Sequence, residues 1–201
     1  MMIKDMSIMR KASCFISAII IAISILLFAL KSAYWYYPAV YGVWLFFDNL
    51  SFLRGNKTTL DLLIEKKYKK FIVLYLSLFV FGFSIEFFGR MLLNLWTYPL
   101  VDPIILNTIG LIGYPFILMS YRETYVFLNS FLKNSLFSVL LSMLFGITIW
   151  EVPNVFSNNW IYKIPYVTFE IFHINIVVIV GWVILILGPI YIYGIQKRLK
   201  F

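Results

Sequence analysis

Six long apolar runs, separated by short polar or basic stretches, limit what this 201-residue chain can fold into. A helix needs about 20 mainly apolar residues to cross the hydrocarbon layer of a bilayer. The runs lie at Ser13–Tyr34, Tyr37–Leu53, Phe71–Trp96, Val101–Tyr121, Ser135–Val152 and Phe169–Ile195. They predict an all-α fold, a polytopic membrane helix bundle of six transmembrane helices in a single integral membrane domain. The second run is the weakest, being short and carrying Asp48 and Asn49 near its end. Transmembrane strands are excluded, because the runs are too long and do not alternate between apolar and polar residues.

Composition points the same way. The chain is 62% hydrophobic and 13% charged, whereas a soluble domain is nearer half apolar and a quarter charged. A domain of this size still exposes much of its surface, so one soluble core could not hide the excess. Soluble globular folds, disordered chains and disulfide scaffolds are thereby excluded. Cys14 is the only cysteine, so no intrachain disulfide can form, and it reads as a small packing residue in the first run.

The 17 Lys and Arg outnumber the 9 Asp and Glu. On a soluble protein such a balance would suggest nucleic acid. Here the basic residues cluster between apolar runs, as in cytoplasmic loops that face anionic lipid headgroups. Lys4, Arg10 and Lys11 precede the first run, and Arg54, Lys57, Lys66, Lys67, Lys69 and Lys70 follow the second. Arg122 and Lys133 follow the fourth, and Lys197, Arg198 and Lys200 close the chain. Lys31 and Lys163 fall on the other side, and Arg90 lies within the third run. Six spans with both termini cytoplasmic place nearly all the basic residues on one side, as the positive-inside rule requires. The first run is longer than a signal-peptide core and is followed by Ala29-Leu30-Lys31-Ser32-Ala33, a poor cleavage site, so it reads as a retained helix.

The three turns opposite the basic loops look alike: Trp35-Tyr36-Tyr37-Pro38, Trp96-Thr97-Tyr98-Pro99, and Trp160-Ile161-Tyr162 leading to Pro165. Interfacial preference of Trp and Tyr, with Pro at a helix entrance, accounts for this pattern. A helix hairpin repeated three times accounts for it as well. The last two hairpins share more, with Glu86 and Asn94 before one turn and Glu151 and Asn154 before the other. Gly89, Gly181, Gly188 and Pro189 are placed for close helix approach or kinks, and Pro115 for a bend in the fourth span.

Ionisable residues within spans are costly and are the first candidates for function. Glu86 and Glu151 are the candidate catalytic carboxylates, and Arg90, Asn94, Asn154, Glu170 and His173 the candidate ligand-binding residues. Arg90 stands at i+4 from Glu86, where the two can pair on one helix face. Glu170 and His173, at i and i+3, would open the sixth span facing one site. Such a cluster could act as an acid on an olefin or lipid, bind a metal, or line a polar ligand pocket. Ion pairing and wetted helix ends account for the same residues with no function at all. A single His and the lack of a second Glu-x-x-His give no metal assignment, and no cofactor is implied. Phosphate loops, zinc-protease helices and nucleophile elbows are absent. The Lys66–Lys70 cluster fits anionic lipid headgroups and not nucleic acid.

Tyr37-Pro38 leading to Trp44 and Asp48, the block from Glu86 through Asn94-x-Trp96-x-Tyr98, and Trp150-Glu151 through Asn154 and Trp160-x-Tyr162 to Pro165 resemble a family of small multi-span membrane proteins of bacteria and archaea. That family supplies no activity to carry over. More loosely, Leu95-Trp96-Thr97-Tyr98 and Tyr114-Pro115 followed by Arg122-Glu123 make the chain similar to the membrane-embedded lycopene cyclase domain of carotenoid synthesis. That domain has a Pro-x-Glu-Glu type block, whereas Glu123 here stands alone, eight residues after Pro115. The expectation is a multi-pass cell-membrane protein that serves as a binding or structural component. The alternatives are a membrane enzyme acting on a lipid or isoprenoid ligand through Glu86 and Glu151, and a small transporter subunit.

Overall fold

A computed structural model describes residues 8–198; Lys4 and Lys200, two of the basic residues behind the expected orientation, lie outside them. Seven helices follow in order: α1 (Ile8–Ala29), α2 (Tyr36–Leu53), the short α3 (Thr59–Ile64), α4 (Tyr68–Leu92), α5 (Pro103–Leu132), α6 (Ser135–Ser157) and α7 (Ile176–Arg198). The chain is a polytopic helix bundle. Five helices, α1, α4, α5, α6 and α7, are long and apolar enough to cross a membrane. The second expected span is helical as well, but α2 falls outside this group: it is 18 residues long and buries Asp48 and Asn49.

Capping chemistry sets the boundaries. Thr58 and Asp61 form a reciprocal capping box at the start of α3. Asp102 caps α5 ahead of Pro103, and Asn134 caps α6 by accepting from the Phe137 N–H. Lys31, Lys133 and Asn158 turn left-handed where α1, α5 and α6 end. The sixth run departs most from expectation. Its first residues leave the helix as a hairpin of β3 (Glu170–Ile171) and β4 (Ile174–Asn175). Phe172 and His173 both have positive φ, the requirement of a tight two-residue hairpin turn. Asn175 then accepts from the Val177 N–H, so α7 starts only at Ile176.

Burial is reversed relative to a soluble protein. On α1, Ser13, Ser17 and Ser24 face inward at helical spacing, while Phe15, Ile19 and Ile25 are exposed. Ser17 donates to the Gly42 carbonyl and Ser24 to the Trp35 carbonyl. A Cβ on Gly42 would lie 2.8 Å from Ile21, so glycine is what lets α1 and α2 approach. The small residues point into the bundle, as they do where membrane helices pack, and the large apolar side chains point out of it. α5 lies at the centre, against α2, α4, α6 and α7. Leu118 and Met119 of α5, Leu74 and Leu78 of α4, Trp44 of α2 and Ile186 of α7 form its buried core.

Two remaining strands, β1 (Trp96–Thr97) and β2 (Ile161–Tyr162), pair antiparallel, with Trp96 opposite Tyr162. This ladder ties together two of the three aromatic turns. The first turn joins them through rings: Trp35 stacks on Trp150, and Tyr36 packs edge-on to Trp160.

Candidate functional site

Both expected catalytic carboxylates lie on π-helical turns. Glu86 opens the turn Glu86–Leu92 at the end of α4, and Glu151 closes the turn Ile147–Glu151 within α6. Such turns widen the helix by one residue and recur at functional sites. In α6 the cause is local: Pro153 has no N–H to give the carbonyl one turn back. Asn154 then fixes the following loop, accepting from the Trp160 N–H and donating to the Trp160 carbonyl.

The loops beyond the two π turns return a tyrosine to each carboxylate. The Tyr98 hydroxyl donates to Glu86 at 2.9 Å, and the Tyr162 hydroxyl to Glu151 at 2.8 Å. The remaining partners differ. Glu86 also accepts from Arg90 Nε at 2.8 Å, and the Arg90 guanidinium reaches Asn107 of α5 at 2.7 Å. Glu151 instead accepts from the indole N–H groups of Trp160 and Trp182, at 3.2 and 3.3 Å. One carboxylate thus carries its own counter-charge, and the other is held by neutral donors. Burial raises the Tyr98 and Tyr162 hydroxyls well above the usual tyrosine range, with the neighbouring glutamate adding to it in each case. Both rings therefore stay protonated and act as donors.

Glu86 and Glu151 line one cavity of about 320 Å³, within the range of small-molecule pockets. Its wall is mostly apolar and strongly aromatic, with Tyr36, Tyr114, Tyr121, Trp96, Trp150 and Trp182 among the lining residues. Glycines seat several of these rings. A Cβ on Gly146 would lie 2.3 Å from Trp182, one on Gly82 2.4 Å from Tyr114, and one on Gly89 1.8 Å from Trp96. An apolar molecule in this space would meet ring faces on several sides and two carboxyl groups.

The other expected site residues fall elsewhere. Glu170 and His173 lie in the β3–β4 hairpin, not on a helix, so the anticipated i, i+3 helical pair does not form. Both are exposed and line a separate polar groove with Lys163 and Asn175, outside the aromatic cavity. Asn94 is exposed, with a φ of 51° where the chain leaves α4. Among the described residues no three His, Cys, Asp or Glu side chains are grouped as a metal site.

At the opposite end of the bundle lies a polar cluster that inspection of separate spans does not reveal. Arg10 of α1 pairs with Asp48 of α2 and Asp61 of α3, and donates to Thr58. Asp48 also accepts from the Thr59 hydroxyl and the Leu60 N–H. Glu123 of α5 pairs with Arg122 and accepts from the Thr59 N–H, while Tyr193 of α7 covers the Arg122 guanidinium. Arg10, Asp48 and Glu123 are each at most 1% exposed. The network locks α1, α2, α3 and α5 together. Asp48 and Glu123 were legible as membrane carboxylates, but Arg10 reads from sequence as one of a basic N-terminal cluster.

A scan against family models gives no match, and neither the curated proteins nor the solved structures give one.

Proposed function

We propose that the protein binds an apolar lipid or isoprenoid chain in the aromatic cavity and carries out acid–base chemistry on it. The observation that supports this most is one apolar cavity holding two carboxyl groups, Glu86 and Glu151. A cavity filled with side chains would have favoured a purely structural protein. In this proposal Glu151, held by neutral donors, is the proton donor, and Glu86 stays paired with Arg90 in the wall. Protonating a carbon–carbon double bond forms a C–H bond and leaves a carbocation, which the surrounding ring faces stabilise. Loss of a proton from a neighbouring carbon to Glu151 restores the acid. The net change is an isomerisation or cyclisation that needs no oxidant or metal. The similarity to the lycopene cyclase membrane domain agrees with an isoprenoid substrate.

The same proposal sets the protein in the cell membrane with both termini cytoplasmic. Supporting it are the basic residues between Arg54 and Lys70, which would face anionic headgroups. The functional test is the lipid and isoprenoid profile of cells expressing the wild type, Glu151→Gln or an empty vector. Wild-type cells should gain a product isomeric with its precursor, and Glu151→Gln should lose it while staying folded, since Gln keeps the volume without the proton. Identical profiles for wild type and vector across a polyene-producing host would overturn the enzyme assignment.

A further inference from the structure

The cavity has a mouth on one side, between α4 and α7. Of the residues that line it, Val177 and Ile184 are exposed, at 40% and 60%. They share one face of α7 with Gly181, at i, i+4 and i+7. On the opposite face of the same helix Trp182 and Ile186 are buried, at 3% and 0%. Ile85 of α4 lines the same cavity.

Further along, the same two helices close on each other. A Cβ on Gly188 would fall 2.4 Å from the Phe81 ring, and Gln196 donates to Ser77 at 3.2 Å. Contact at Gly188 and open space at Gly181 make α4 and α7 part towards the end that carries the π turns. A Cβ on Gly181 would meet nothing within 4 Å. The mouth runs along α7 for about 10 Å, from Val177 to Ile184, at helical rise. α4 and α7 are both long and apolar enough to cross a membrane, so with the bundle embedded in a bilayer this opening would face hydrocarbon and not water.

We propose that the gap between α4 and α7 is a lateral portal through which an apolar chain passes from the bilayer into the cavity, with Gly181 as its threshold. This rests on reading the cavity as a site for an apolar ligand. The absence of a side chain at Gly181 keeps the passage open, and Ile184 narrows its lower edge. Neither role is asked of Gly194, which lies on the same helix and also has open space around its Cβ position.

The test uses a diazirine-bearing farnesol, photolysed with the full-length protein in phosphatidylcholine vesicles, and maps and times the labelling of cavity peptides. Wild type should be labelled on the stretches around Tyr114 and Trp182. Gly181→Phe should slow cavity labelling at least tenfold, Gly194→Phe should stay within twofold of wild type, and Ile184→Ala should speed it. Melting in detergent establishes that Gly181→Phe is folded; should it not be, Ile184→Ala decides. Unchanged rates in Gly181→Phe and Ile184→Ala would overturn the portal and leave the cavity assignment standing. A wild-type protein labelled only on its outer surface would overturn both.

Discussion

Trp96 stands opposite Tyr162 in the two-residue ladder that joins the turns after α4 and α6. This pairing matches two copies of one local device: a glutamate on a π turn, and a tyrosine 12 or 11 residues later that donates to it. The copies differ in what else reaches the carboxylate. Arg90 reaches Glu86, while Trp160 and Trp182 reach Glu151. Two similar hairpins thereby bring carboxyl groups with different partners to one cavity.

The tyrosines carry a pH prediction. Burial holds the Tyr98 and Tyr162 hydroxyls well above their ordinary value, and an unfolded tyrosine ionises near about pH 10. The folded state therefore keeps protons that the unfolded state releases. Their contribution is complete below about pH 10 and is lost as the pH rises beyond it, at about 1.4 kcal/mol per pH unit for each proton retained. Tyr98→Phe should flatten the alkaline fall in melting temperature. A slope unchanged in Tyr98→Phe would mean that the hydroxyl ionises freely.

Glu86 and Arg90 should behave as one unit. Their side chains are 4% and 16% exposed and meet at 2.8 Å. Removing one partner of a buried pair costs about 3–5 kcal/mol, because the other charge is stranded. Glu86→Gln and Arg90→Met should each destabilise, and the double variant should cost less than their sum. A double-mutant cycle in detergent unfolding measures this, and strict additivity would show that the pair contributes nothing.

What the sequence discloses follows from how local each feature is. Run length finds each long helix, because hydrophobic thickness dictates it, but not its ends. α1 begins five residues before the expected Ser13, α5 continues eleven beyond Tyr121, and α7 starts seven after Phe169. The Glu86–Arg90 pair is legible because i, i+4 geometry is intrinsic to a helix. The Trp-x-Tyr turns are visible too, although interfacial preference explains them without assigning a partner to Tyr98 or Tyr162. Glu170 and His173 mislead for a local reason: hydropathy does not distinguish the start of a helix from a tight hairpin whose Phe172 and His173 turn left-handed. Trp182 and Tyr114 give no signal as cavity residues, since their places depend on Gly146 and Gly82 in other helices. Arg10 likewise meets Asp48 only through the packing of α1 on α2.

The buried cluster around Arg10 should matter more to stability than any surface pair. Asp48→Ala strips an acceptor from Arg10, from the Thr59 hydroxyl and from the Leu60 N–H at once. Breaking such a buried pair costs about 3–5 kcal/mol. The comparison is Glu65, whose carboxyl is held down to about 2 by hydrogen bonds from Lys57 and Lys67 in an exposed loop. Any stabilisation from Glu65 is complete above the unfolded value near about 4.3 and is lost as the pH falls towards 2. Glu65→Gln should leave the melting temperature at pH 7 almost unchanged, since exposed pairs are screened by solvent. Equal losses in the two variants would show that the Arg10 cluster is no more than a surface network.

The proposed orientation can be read from two exposed positions on opposite ends of the bundle. Lys69 lies in the first turn of α4 within the basic cluster, and Thr168 lies in the loop before β3. A Cys14→Ser background removes the chain's only thiol. With both termini cytoplasmic, an impermeant maleimide applied to intact cells should label Thr168→Cys and spare Lys69→Cys, and permeabilised cells should label both. The expectation comes from charge: moving the Lys66–Lys70 cluster across the bilayer would place it against the bias that retains Lys and Arg in short loops on the cytoplasmic side. Labelling of position 69 but not 168 in intact cells would invert the orientation. Such a result would leave the cavity, the two carboxylates and the α4–α7 mouth where they are in the fold, but would move the cavity into the cytoplasmic leaflet.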